Sequence, residues 1–412
     1  MSLIGSWMTR VATSWLVYRL TGSPVLLGVV SFAGQIPAFV FAPIAGVWVD
    51  RWDRHRVLVV TQILSMVQSL AMAGLALTGL ITVNAVIALA VMQGLINAFD
   101  MPARQAFVVQ MVEHREDLGN AIALNSSMVN AARLIGPALA GVVIAAVGEG
   151  YCFLIDGVSY MAVIASLLLM HVAPSGAARV QRRVLQELGE GWRYVAESVP
   201  IRSILLQLAL ISLAGMPYTV LMPVFAARIL HGGPNTLGFL TAASGIGALA
   251  GAITLAMRKS ILGLGMRIAV CSAFLGVSLI AFALSNMLWL SLLILPVTGF
   301  TMMQQMASSN TILQTIVDDE KRGRVMSFYS MAFQGMAPFG ALMAGELAAR
   351  IGAPATLVVS GGICIAGAAW FGLRLAEIRK LIRPVYVRLG ILPELAMGVD
   401  QASSLQTQST AE

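Results

Sequence analysis

The chain alternates between long apolar runs and short polar breaks, and the runs set the scale. Stretches such as Leu58 to Leu80 and Leu288 to Phe300 approach the roughly 20 residues that an α-helix needs to cross a hydrocarbon core. Reading runs between charged or Gly/Pro breaks predicts twelve spans. Six lie at about 3–20, 24–49, 57–80, 83–102, 119–147 and 151–171, and six at about 203–227, 235–257, 266–285, 287–311, 323–349 and 353–375. Breaks as short as Thr21-Gly22-Ser23 force consecutive spans to be antiparallel neighbours.

One connection is long. Residues 172–202 separate an N-terminal six-helix bundle, 1–171, from a C-terminal one, 203–375. Within it Val180, Val184, Leu188, Trp192 and Val195 recur at helical spacing, with Arg182, Arg183, Glu187, Glu190 and Arg193 on the rest of the turn. This predicts an amphipathic linker helix lying on the membrane surface. After the last span, 376–412 reads as a basic tail that ends in a polar, disordered Ser/Gln/Thr stretch.

Composition agrees with lipid as the solvent. Only 11% of residues are charged and 58% are hydrophobic, against roughly 25% charged in a soluble domain. The net charge of +7 could suit nucleic acid, but its placement reads as topology. Most Lys and Arg fall in every second loop, from Arg51, Arg54 and Arg56 through Arg322 and Arg324 to the tail. The other side has only Arg19, Arg228 and Arg350. Positive-inside asymmetry makes the basic loops and both termini cytoplasmic, and the large excess of Arg over Lys hints at a GC-rich bacterial source. Membrane lipid is the expected partner, with no nucleic acid, and a monomer is expected.

Several function classes drop out. Cys152, Cys271 and Cys364 lie far apart in apolar segments and suggest neither disulfides nor a metal site. No Gly-x4-Gly-Lys-Ser/Thr phosphate loop is present, which disfavours an ATP-driven pump. No His-Glu-x-x-His or Gly-x-Ser-x-Gly element supports an enzyme, and no cofactor is expected. A small-molecule transporter remains, with an importer or a non-transporting scaffold as rivals.

Repeats sharpen the picture. A shift of 204 positions superposes Gln110 on Gln314, Gly119 on Gly323, Gly136 on Gly340, and Ala140-Gly141 on Ala344-Gly345. Between the second and third spans stands Gly46-Val-Trp-Val-Asp50-Arg51-Trp52-Asp53-Arg54-His55-Arg56, and the fourth span ends in Asn97-Ala-Phe-Asp100-Met-Pro102-Ala-Arg104-Gln105. Pro102 should end or kink its helix, while Asp100 and Arg104, four apart, share a face. With Gly22-Ser23-Pro24, Leu118-Gly119-Asn120-Ala121 and Arg383-Pro384-Val385-Tyr386, the chain resembles the major facilitator superfamily, specifically its enterobactin-exporter-like branch of transmembrane secretion effectors. The resemblance covers almost the whole chain.

The resemblance implies an all-α integral membrane fold of two six-helix bundles around a central cavity. It implies export of a siderophore, drug or other amphipathic metabolite in exchange for protons. Gly46, Asp50, Arg51, Arg54, Asp100 and Arg104 would form the cytoplasmic gate. Asp50 would face the N-terminus of the eleventh helix near Gly323, and Arg51 or Arg54 would pair with Asp100. Two features depart from the family: Asp53 replaces the usual second glycine, and Met257-Arg258-Lys259 lacks the aspartate. The family's first helix also begins further upstream than Met1, so this one is expected to be truncated or mis-started.

Charge within the spans singles out the cavity. Arg133, about mid-span, should face the bundle interior or a wet cavity, because an arginine at the bilayer centre costs roughly 2.5–3.5 kcal/mol. Arg10, Asn125, Asn130 and Arg133 are therefore cavity candidates, and the resemblance adds Gly136 and Pro137, a Gly-Pro element of the fifth helix. Two arginines there would suit an amphipathic anion. Asp156 and Glu346 are the candidates for proton coupling. A buried ion pair of Arg133 with Asp156 is the rival role.

Overall fold

The computed structural model describes residues 2–111, 117–170, 184–258 and 260–391. Among these residues the chain is helical throughout and has no strand. The first half contains α1 (Ser2–Thr21), α2 (Pro24–Arg51), α3 (Arg54–Leu77), α4 (Val83–Met111), α5 (Leu118–Val147) and α6 (Glu149–Leu169). A short helix, α7 (Val184–Glu197), leads to α8 (Val199–Leu210), α9 (Tyr218–Val224), α10 (Pro234–Ala256) and α11 (Leu264–Ala283). Then follow α12 (Leu288–Ile316), α13 (Asp319–Ser330), α14 (Met336–Ile351) and α15 (Ala353–Arg388).

Wider π-turns at Ile211–Gly215 and Met331–Gly335 join α8 to α9 and α13 to α14. The second half thus also has six rods. A π-turn shifts backbone bonds out of register and leaves carbonyls exposed to lateral partners. Here the Ser212 hydroxyl of one π-turn donates to the Phe333 carbonyl of the other. Ten segments among the described residues are long and apolar enough to cross a membrane. The other two rods are α1, which carries Arg10, and the interrupted α13–α14.

Two helices outrun the sequence-based expectation. α4 does not end at Pro102 but continues to Met111, and α15 runs to Arg388. The charged residues that end a membrane span do not end a helix. Beyond Pro102, Ala103 and Phe107 are buried, and beyond Leu375 so are Ile378 and Ile382. Their burial offsets the backbone bond that Pro102 removes.

The two halves repeat one packing scheme. α1 packs on α5 and α6, α3 on α4 and α6, and α2 on α4. In the second half α8 packs on α15 and the π-turn after it on α14, α11 packs on α12 and α15, and α10 on α12. A second repeat accompanies this scheme. Gly22-Ser23-Pro24-Val-Leu-Leu-Gly28 matches Gly232-Gly233-Pro234-Asn-Thr-Leu-Gly238 at a shift of 210, and each opens its helix.

The halves join through matching glycine contacts, α2 on α14 and α5 on α10. A Cβ on Gly28 would stand 2.6 Å from the Ala341 carbonyl, and one on Gly345 2.6 Å from the Pro24 carbonyl. In the mirror contact, Gly238 meets the Pro137 carbonyl at 2.7 Å and Gly141 meets that of Pro234 at 2.9 Å. Only residues without a side chain permit backbones this close. All four contacts lie toward the end opposite the basic loops, here the far end. Arg228 reinforces it by donating across the halves to the Gly22 carbonyl at 3.0 Å.

Toward the basic end the halves part. One buried apolar cluster, with Leu27, Ala140, Leu237 and Ala344, draws on both halves. Two others are each confined to one half. Val49, Leu58 and Phe107 belong to the first, and Ile204, Ile268, Ile316 and Phe371 to the second. Among the described residues, side chains added at Gly46 or Gly323 would meet nothing within 4 Å. The described residues thus form a wedge, closed at the far end and open at the basic end.

This geometry makes a prediction. Gly141→Leu should force the far end apart, because overpacking costs about 1–3 kcal/mol. Leu27→Cys, buried there, should then react with a membrane-impermeant maleimide about fivefold faster or more. The three natural cysteines are buried and give little background.

Candidate functional site

The apex of the wedge lies where α5 last touches α10. There the Arg133 carbonyl stands 3.3 Å from a Cβ built on Gly245. Pro137, four residues on, has no N–H to give that carbonyl, so it is free to turn toward the neighbouring helix. On the other side of α5, Gly136 lets α1 approach: its Cβ would stand 2.5 Å from Trp7 Cβ. Trp7 is therefore pinned against α5. The Arg10 guanidinium lies 4.8 Å from the Trp7 ring centre and that of Arg133 5.7 Å from it. Two cations share one indole. A ring face attracts a cation by about 0.5–1 kcal/mol at exposed sites, which holds both guanidiniums in place without neutralising them. Across the apex, Tyr218 and Ser244 of the second half are hydrogen-bonded at 2.6 Å. Asn130 is half-buried one turn below Arg133, and Asn125 is exposed further toward the basic end.

Asp156 lies behind this group, on α6. It is buried, and its Oδ2 accepts from Thr9 at 2.9 Å and from Ser69 at 2.8 Å. Oδ1 makes no hydrogen bond among the described residues and packs on Gly5, 2.6 Å from where a Cβ would stand. Ser6 and Tyr160 complete the polar group, 3.3 Å apart. Thus Asp156 touches hydroxyls rather than Arg133, and the buried ion pair between them is not formed. Glu346 is placed quite differently. It pairs with Arg350 at 2.6 Å on the exposed far end of α14.

At the basic end Asp100 is buried. It accepts from Thr61 at 2.9 Å, Gln62 at 2.8 Å and Arg104 at 2.8 Å. Asp53 caps α3 by accepting from the amides of His55 at 2.9 Å and Arg56 at 3.2 Å. A helix start needs such an acceptor, which explains an aspartate where the family has glycine. Trp48, Trp52 and Phe99 stack beside the pair. Arg51 is exposed, and Arg54 has a partner of its own. The side chain of Asp50 lies outside the described residues. Among the described residues, Gly46 approaches no neighbouring helix within 4 Å.

The linker helix α7 docks on the second half; Val180 is outside the described residues. Glu190 pairs with Arg324 at 2.8 Å, Lys321 stands 4.4 Å from the Tyr194 ring centre, and Trp192 packs on Phe328. Val195 is buried in that half's core.

Sequence reasoning missed two features. Thr61, Gln62, Ser65, Gln68 and Ser69 form a buried polar stripe along α3. Their spacing of three to four within an apolar run was the available signal. The second is Trp7, whose three-residue spacing from Arg10 puts both on one face of α1.

Two six-rod bundles related by repeat, clamped at one end and polar at the apex, together with a family match over residues 1–386, define a multi-pass membrane transporter of the major facilitator superfamily. The fold is similar to that of a bacterial homologue of the human lysosomal transporter Spinster, solved inward-facing and unoccupied. The TM-score is 0.72 at 13% identity, covering 92% of this chain and 96% of that one. A sequence model of the transmembrane secretion effector family matches residues 1–386, and the chain belongs to that family. The staphyloferrin A transporter of Staphylococcus aureus is 25% identical over 375 residues, 89% of this chain and 92% of that protein. The multidrug efflux pump Tap of Mycolicibacterium fortuitum is 28% identical over 395 residues, 92% of this chain and 95% of that protein.

Asp100→Ala should lower stability in detergent by about 2 kcal/mol, because it strands three donors, one of them charged. Arg104→Ala should cost less than half as much, since it removes a half-exposed ion pair and leaves Asp100 its Thr61 and Gln62 donors. Thermal unfolding of the two purified variants checks this order.

Proposed function

We propose that this transporter exports a small amphipathic anion across the bacterial cytoplasmic membrane by alternating access, in exchange for protons. The observation that carries the reading is the pair of guanidiniums held on the Trp7 indole at the apex. Uncompensated cations deep in a membrane protein are costly unless water or a ligand reaches them. Their aromatic support gives the same site a flat apolar surface. An anion with an apolar body satisfies both. Efflux is supported by the names of relatives, which include a multidrug efflux pump and a macrolide efflux protein.

Charge asymmetry supports a cytoplasmic basic end, so the wedge described above is open inward and can load from the cytoplasm. Closure at that end would bring the α2–α3 loop toward α13, where Asp50 suits a helix N-terminus. Opening at the far end would separate the paired glycines. The acid for proton exchange is Asp156. Its neighbours are neutral hydroxyls on α1 and α3 and the Tyr160 phenol on α6, with Arg10 and the Asp100–Arg104 pair further off. Thr9 and Gly5, which touch Asp156, lie on the same two turns of α1 as Trp7 and Arg10. Protonation there replaces an acceptor by a donor and repositions the helix that holds the substrate group. α1 is thus the coupling element. Glu346, exposed and ion-paired, is the weaker candidate.

Two measurements in proteoliposomes test the reading. A carboxylated amphiphile and its methyl ester are compared, and Arg133→Gln should slow the anion about tenfold, the loss of one charge-assisted contact, while changing ester flux less than twofold. Equal losses would remove the anion assignment. Asp156→Asn should abolish uphill transport driven by a pH gradient yet keep downhill exchange; full gradient-driven transport would exclude Asp156.

A further inference from the structure

We infer that the basic end of the second half carries a binding site for an anionic phospholipid. The inference rests on the basic end facing the cytoplasmic leaflet. A cavity of about 240 Å³ lies between α8, α11, α12 and α15. Its walls are apolar, with Ile312, Phe371, Leu375 and Ile378 among them, and Arg379 and Arg383 stand on its rim. The two arginines are four residues apart, so they share one face of α15 and point the same way.

Several other cations at this end are engaged. Arg388 meets Asp318 at 3.4 Å, Arg324 meets Glu190 at 2.8 Å, and Arg258 is taken up by the Ser260 and Leu262 carbonyls. Arg374 lies over the Trp370 ring at 5.1 Å. Among the described residues, Arg379 and Arg383 are exposed and make no ion pair.

Depth fixes the kind of ligand. α15 begins at Ala353 at the far end, and about 20 residues cross the roughly 30 Å hydrocarbon layer. The crossing ends near Trp370 and Arg374, an aromatic and a cation suited to the interface. Arg379 lies about 9 Å beyond Leu373 along the axis, within the headgroup layer. The apolar cavity reaches back from there toward the hydrocarbon edge. A free anion has no use for that cavity, and a neutral lipid has no use for the rim. A phospholipid with a net negative headgroup uses both: phosphate oxygens on the guanidiniums and an acyl chain against Phe371 and Leu375. Seated there, it would brace the basic ends of α8, α11 and α15.

The full chain is purified, delipidated, and re-equilibrated with equal amounts of phosphatidylglycerol and phosphatidylcholine, and bound lipid is counted by native mass spectrometry. Wild type should retain at least one phosphatidylglycerol in preference to phosphatidylcholine. In R379Q/R383Q retention should fall roughly thirtyfold, the headgroup attraction of two cations. R379K/R383K should keep most of it, and Arg56→Gln, an exposed charge elsewhere at this end, should change nothing. Equal retention of the two lipids by wild type, or undiminished retention by R379Q/R383Q, would overturn the site. Displacement of the lipid by millimolar inorganic phosphate would overturn it too, since the rim alone would then account for binding. Retention is read without transport, so its failure leaves the export reading untouched, and the reverse.

Discussion

Everything in this molecule depends on how closely two helix backbones can approach where no water competes. In lipid there is no hydrophobic force to press helices together, so packing distance and polar contacts must do it. The paired contacts Gly28–Gly345 and Gly141–Gly238 are, among the described residues, the tightest backbone-to-backbone seams between the halves, and they occur twice by symmetry. A joint made of bare backbone is strong when closed and leaves nothing to untangle when it opens. It confines contact between the halves to one end. The opposite end stays apart, and the apex between them is where charge can be kept wet inside a membrane.

The second constraint is the cost of that charge. The arginines of the far end are all engaged: Arg19 by Glu149 at 2.7 Å, Arg228 by the Gly22 carbonyl, Arg350 by Glu346. Asp100 is surrounded by donors, and Asp156 by hydroxyls. At the apex, Arg10 and Arg133 are both held by one ring rather than by an acid. A guanidinium resting on an indole keeps its charge available, which a salt bridge would not. That difference separates groups that stabilise the fold from groups able to bind a ligand.

Much of this was legible in the sequence because membrane spans write themselves in long apolar runs and topology in loop charge. The long connection at 172–202 and the Gly136/Gly340 and Gly141/Gly345 matches marked the two halves, and Arg133 announced itself by its depth. What escaped was lateral. Helix ends ran past the apolar runs because Phe107 and Ile382 find cores beyond the membrane edge. Asp156 and Glu346 look alike in sequence, both acids in apolar helices, yet one faces α1 and α3 and the other points outward beside Arg350. Which face of a helix looks inward depends on neighbours many residues away. The Pro24/Pro234 repeat was readable but lay at a shift of 210, displaced from the 204 of the fifth and eleventh rods by unequal loops.

The central claim is that the halves pivot about the apex, so the two ends must move in opposite senses. Pulsed electron–electron resonance on two spin-labelled pairs measures this directly: Arg56→Cys with Gly323→Cys across the basic end, and Thr21→Cys with Ile351→Cys across the far end. On adding a transported amphipathic anion, the first distance should shorten and the second lengthen, in the same fraction of molecules. If both distances moved in the same sense, or the basic end closed while the far end stayed shut under all conditions, the chain would not be a rocking transporter of this design.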